Sequence, residues 1–145
     1  MATYSTCDDG TAQVSVDGAP LPPRNDLANH SPDGIGWGYA GSGPSQLALA
    51  VLAYHFHDAG DEQELADAKA LALYHPFKDK LIAKLHAEGW ELDSHVVADT
   101  VRMVIKDDAE RIFTRAMQLE VENQRLNRNL EECYILLEEA EAETP

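Results

Sequence analysis

Apolar positions change period along this chain, and the changes mark its parts. Near the start they come in short alternating runs: Thr3 to Cys7 and Gln13 to Val16 flank Asp8-Asp9-Gly10. Asp-Gly between β-friendly runs predicts a hairpin. Asp17-Gly18 predicts a second turn, and Leu21-Pro22-Pro23-Arg24 must then run extended, because proline restricts itself and its predecessor. Residues 25 to 35 are irregular and rich in turn formers. A small antiparallel sheet laid over helices is expected.

The period then becomes helical. From Pro44 to His57 almost no polar face remains, which predicts a buried central helix ended by Asp58-Ala59-Gly60. Asp61 followed by Glu64 suits the start of a second helix, whose core spacing is carried by Leu65, Ala68, Leu71, Ala72, Phe77, Leu81, Ile82 and Leu85. Pro76 predicts a kink or restart within it. Trp90-Glu91-Leu92 alternates and predicts a short added strand. After Asp93, a plausible cap, no Gly or Pro occurs before Pro145, which permits one helix of about fifty residues. Val96, Val97, Val101, Val104 and Ile105 would dock its first turns.

Beyond that point the spacing is a heptad. Ile105, Ile112, Leu119, Leu126 and Cys133 recur every seven residues at d, with Ala109, Ala116, Asn123, Leu130 and Leu137 at a. Such a seam predicts a coiled coil, the alternative being a helix folded back on its own domain through Phe113, Met117, Val121, Tyr134 and Ile135, which lie off the seam. Asn123 between Leu119 and Leu126 favours a two-stranded parallel pairing, and Arg115 at g can reach Glu120 at e of a second copy. The expected class is therefore α+β and mostly helical: a small globular domain over 1–105, then a coiled-coil dimerisation helix with an acidic tail over 106–145.

Composition adds a strong constraint. With 26 acids against 11 bases the formal net charge is −15. That opposes direct binding to nucleic acid or to anionic membrane, both of which need positive surface. It fits a solvated surface, or an acidic face meeting a basic partner. Asp58, Asp61, Glu62, Glu64 and Asp67, with the Glu-rich end of the coil, are the candidate contacts. No run approaches the roughly 20 apolar residues of a membrane span. The N-terminus lacks a signal-peptide pattern, so a cytoplasmic protein is expected.

Chemistry-bearing patterns are few. The loop Trp37-Gly38-Tyr39-Ala40-Gly41-Ser42-Gly43-Pro44-Ser45 bends tightly before a helix start, with Pro44 suited to the first helical position. Free amides there could hold an anion, making Trp37, Tyr39, Gly41, Ser42, Gly43 and Ser45 a candidate ligand loop. The phosphate-loop lysine and the dinucleotide glycine spacing are both missing. His55-x-His57-Asp58 with Asp61 has no diagnostic third metal ligand, and His30, Asp33 and Ser42 or Ser45 form a nucleophilic set only if the fold gathers them. No enzyme, cofactor or metal is expected. A basic zipper gripping DNA is disfavoured, since Arg102 and Lys106 are accompanied by Asp99, Asp107 and Asp108.

Several of these stretches together resemble a family. Val14-x-Val16-Asp17-Gly18-x-x-Leu21-Pro22, His30-Ser31-Pro32-Asp33-Gly34, the run Trp37-Gly38-Tyr39-x-Gly41-Ser42-Gly43-Pro44-x-Gln46-Leu47-Ala48-Leu49, Phe77-Lys78 and Trp90-x-Leu92 are similar to an uncharacterised family of short proteins carried by phages, prophages and plasmids. The similarity spans about residues 3 to 105; Pro76 and the coil depart from it. It implies a mobile-element origin and an accessory role in a bacterial or archaeal cell, with no assigned activity. The expected function is a non-enzymatic, acidic, homodimeric interaction protein. Its basic host partner would be a nucleic-acid-binding defence complex of the CRISPR or restriction type, engaged by mimicry of DNA charge. The alternatives are a small-ligand or anion-binding module using residues 37–46, and a phage structural or adaptor protein.

Overall fold

The computed structural model of the chain describes residues 1–6 and 12–143. The chain divides into two units, Met1–Ile105 and Lys106–Pro145. In the first, β1 (Thr3–Thr6), β2 (Val14–Val16), β3 (Ala19–Pro20) and β4 (Glu91–Asp93) form one antiparallel sheet in the order β3-β2-β1-β4. The Asp8-Asp9-Gly10 turn and Cys7 lie outside the described residues. The second turn is as expected: Asp17 (φ 49°) and Gly18 (φ 80°) both take positive φ, the two-residue geometry that matches strand twist. Asp17 Oδ1 also accepts the Thr3 N–H at 2.8 Å, tying the turn to the neighbouring strand. Pro20 is tolerated because β3 is an edge strand.

Tyr4 lies opposite both Val16 and Leu92, and all three are buried with Val14. This face covers the helices. Helix α1 (Ser42–Asp58) is the core, with every residue from Gly43 to Ala53 buried. Pro44 sits at its third position rather than its first, still within the turn whose amides have no helical partner.

Helix α2 (Gln63–Lys80) packs on α1 and holds two departures from the expected pattern. It faces inward through Ala66, Ala70 and Phe77, all 0% exposed, while Leu65, Ala68, Leu71 and Ala72 face out. The reason is steric: where two helices approach closely, alanine fits the contact and leucine does not. The helix also runs through Pro76 without restarting. The carbonyl that loses its amide partner belongs to Ala72, an exposed residue that water can reach. A 3-10 turn, Ile82–Lys84, follows.

Helix α3 (Ser94–Ala142) starts where Asp93 Oδ1 accepts the N–H groups of His95 (2.8 Å) and Val96 (3.1 Å). Val97, Thr100, Val101 and Val104 bury one face of its first turns. The second unit is the continuation of this helix, in which every described residue from Ala109 onward is exposed. No described helix is long and apolar enough to cross a membrane.

Candidate functional site

The loop between the irregular segment and α1 is held from three sides. The Trp37 indole N–H donates to the Ala87 carbonyl (3.3 Å), and its ring meets Trp90 edge to face at 5.9 Å. Gly38, at φ +78°, donates its N–H to the Ile82 carbonyl at 3.0 Å. A side chain there would lie 2.9 Å from the Leu85 carbonyl, so glycine is required. The other glycines make room for Tyr39. A Cβ on Gly36 or Gly43 would fall 2.6 Å from the Tyr39 hydroxyl, and one on Gly41 2.9 Å from its ring.

Tyr39, 53% exposed, therefore lies with one side against these glycines at the start of α1. Ser45 is committed, since its backbone N–H (3.2 Å) and hydroxyl (2.9 Å) both donate to the Gly41 carbonyl. Ser42 is exposed at the first helical position. The His30 ring stacks on Tyr74 at 4.6 Å, its backbone N–H donates to Gln46, and its Nε2 is buried without a hydrogen-bond partner among the described residues. Two recesses in this unit are lined by other residues, one of about 260 Å³ beside Arg24, Tyr54 and His57, one of about 440 Å³ along Val14, Pro20 and Ile35.

Gln46 is the residue whose importance the sequence did not single out. It is 0% exposed inside the apolar run of α1. Its Oε1 accepts the His30 N–H (2.8 Å), and its Nε2 donates to the Pro23 carbonyl (2.5 Å). One side chain thereby fixes both ends of the irregular 23–30 segment. A lone amide in an otherwise apolar helix was the available signal, since a buried amide must find partners.

The five acids near the α1–α2 junction divide into two kinds. Asp67 receives a two-pronged contact from Arg24, at 2.8 and 2.9 Å, and Asp61 receives Lys69 at 2.7 Å. Asp58, Glu62 and Glu64 are exposed. Arg24, at φ 57°, also binds Asp26. Hydrogen bonds from the guanidinium hold the Asp26 and Asp67 carboxyls below the usual carboxylate range, and the two carboxylates raise Arg24 in return. Burial lowers His55, opposed by the charge of Asp58. Among the described residues no three His, Cys, Asp or Glu side chains gather as metal ligands would.

The heptad residues form a continuous exposed stripe. Relative exposure is 70% at Ile112, 44% at Leu119, 48% at Leu126, 55% at Leu130 and 57% at Leu137. Ala116, Asn123 and Cys133 are exposed between them, and Ile105, 50% exposed, begins the stripe at the end of the first unit.

Comparison with known proteins returns one family model, described as a family of unknown function (DUF6166), over residues 4–103. No curated protein and no solved structure matches the chain.

Proposed function

We propose, for a chain that belongs to this family of unknown function through residues 4–103, a binding role exercised as a homodimer. Two copies pair along the stripe from Ile105 to Leu137, and their acidic surfaces engage a basic partner. The observation that carries the reading is the exposed seam on an unbroken helix. A helix with such a seam, and with Phe113, Met117, Val121, Tyr134, Ile135 and Leu136 also exposed beside it, is stabilised in water by covering apolar surface.

The magnitudes set gain and cost of pairing close together. Covering the remaining exposure of a seam leucine or isoleucine contributes about 1 kcal/mol, part of the ~1.5–3 kcal/mol of full burial. Five such residues on each of two chains give roughly 10 kcal/mol gross, within the ~4–15 kcal/mol cost of association. A dimer sensitive to single seam substitutions is the consequence.

The partner reading rests on charge. A net charge of −15 and exposed acids at Asp58, Glu62, Glu64 and the coil end favour a basic protein surface. Asp61 and Asp67, engaged by Lys69 and Arg24, contribute less. We assign the protein to a mobile element on the resemblance of its motifs. Within that setting the preferred target is the nucleic-acid channel of a defence complex, where fixed carboxylates occupy phosphate sites. The experiment is recovery of host proteins on the immobilised full chain at low and high salt. Charge-driven capture weakens steeply with ionic strength; a partner retained equally at high salt would contradict the mimicry.

A further inference from the structure

The parallel pairing suggested by Asn123 leaves a charge problem. Along the coil, residues 111–128 carry Arg111, Arg115, Arg125 and Arg128 against Glu120 and Glu122, a net +2. Residues 129–143 carry Glu131, Glu132, Glu138, Glu139, Glu141 and Glu143 with no base, a net −6. A parallel pair sets the two −6 ends side by side. An antiparallel pair with Leu119 opposite Leu130 sets each −6 end against residues 106–120 of the other copy, which carry Lys106, Arg111 and Arg115 against Asp107, Asp108, Glu110 and Glu120, a net −1.

The seam divides. Ile105 and Ile112 at d with Ala109 and Ala116 at a reverse the residue choice that favours parallel dimers, whereas Leu119 and Leu126 at d around Asn123 follow it. In an antiparallel coil each a residue meets a d residue of the other chain. The alignment that sets Leu119 opposite Leu130 of a second copy also sets Ile112 opposite Leu137 and Cys133 opposite Ala116. Small thus meets medium, and large meets large. The e positions of this alignment meet as well: Phe113 opposite Tyr134, both exposed at 69% and 65% in the single chain, and Lys106 opposite Glu141. In the parallel arrangement Phe113 would instead lie beside Asp108 of its partner, and Leu136 beside Glu141. Asp108, which falls near Glu143 when the chains run oppositely, is already paired with Arg111 on its own helix, as Lys106 is with Glu110, and Leu136 falls beside Arg115. The cost is one layer type, Asn123 against Leu126, where the parallel form would pair Asn123 with itself. Opposed helix dipoles add a further contribution in favour.

We infer that two copies of this chain associate through residues 106–143 with their helices antiparallel, Cys133 of each opposite Ala116 of the other. This rests on the homodimer reading above and adds its direction. Thiol crosslinking of the full chain separates the two. The Cys7→Ser variant keeps Cys133 as the sole thiol, and mild oxidation should leave it uncrosslinked while light scattering reports a dimer. Adding Ala116→Cys should produce a disulfide-linked dimer, mapped by mass spectrometry to the 116–133 pair. That link cannot form within one helix, where the two positions lie about 25 Å apart. A 133–133 disulfide in the Cys7→Ser dimer, or 116–116 linkage in the second variant, overturns the direction and leaves the dimer standing. A monomer overturns both.

Discussion

Replacing Gln46 by leucine tests the structural heart of the first unit. The substitution keeps side-chain size and removes two hydrogen bonds at once, to the His30 N–H at 2.8 Å and the Pro23 carbonyl at 2.5 Å. Each backbone group left without a partner costs about 1–3 kcal/mol. The better hydrophobicity of leucine at a fully buried site recovers part of this. The net loss should be about 3 kcal/mol, or roughly 12–24 °C in melting temperature for a domain near 100 residues. Urea unfolding followed by the fluorescence of Trp37 and Trp90 measures it. Gln46→Glu is the informative partner variant. Protonated, its carboxyl can still accept from His30 and donate to Pro23; ionised, it buries a charge against a carbonyl. Burial raises its folded pKa above the unfolded value of about 4.3. Near-native stability should therefore be present below pH ~4 and lost as pH rises, relative to the unmodified protein at each pH. A loss under about 1 kcal/mol for Gln46→Leu, or no pH dependence for Gln46→Glu, would refute the role assigned to this amide.

Gly43→Ala should destabilise by about 1–3 kcal/mol, because its Cβ would sit 2.6 Å from the Tyr39 hydroxyl and 3.1 Å from the Gly36 nitrogen; Tyr39→Ala in the same chain should recover part of that loss in thermal melts. For the Arg24 pair the sign runs with the depressed Asp67 carboxyl: hydrogen bonding from Arg24 stabilises the fold above the unfolded carboxylate pKa, and this is lost as pH falls through the lower folded value. Asp67→Asn should accordingly lower the urea midpoint at pH 7 and flatten its decline below pH 4. Replacing Glu62 and Glu64 together by glutamine should leave melting within about 0.5 kcal/mol, since both are exposed, while weakening capture of a basic partner at low salt.

Periodicity was most informative where one face or none is polar. The apolar run of α1 and the cap at Asp93 were legible because burial and capping act locally, and α1 extends from Ser42 to Asp58 around the expected 44–57. The strand at Trp90-Glu91-Leu92 was legible from alternation, and β4 pairs with β1 through Leu92 and Tyr4. Helix α2 misled because its leucines repeat at the same spacing as its alanines. Spacing shows which residues share a face, and helix-to-helix distance decides which face goes in. The loop at 37–46 suggested free amides for a ligand; the sequence carried no sign that the Tyr39 ring would lie against Gly36, Gly41 and Gly43. The engagement of Asp67 by Arg24 spans 43 positions and left no local mark in the sequence. The a/d repeat was plain in the sequence, and by itself it is compatible with either chain direction.

The pairing of two chains along α3 is tested most directly by mass in solution. Light scattering on the full chain at micromolar concentration should give twice the 15.9 kDa chain mass. A Leu119→Asp, Leu130→Asp variant should give 15.9 kDa with the first unit still folded. A single-chain mass for the unmodified protein throughout this range would contradict the account.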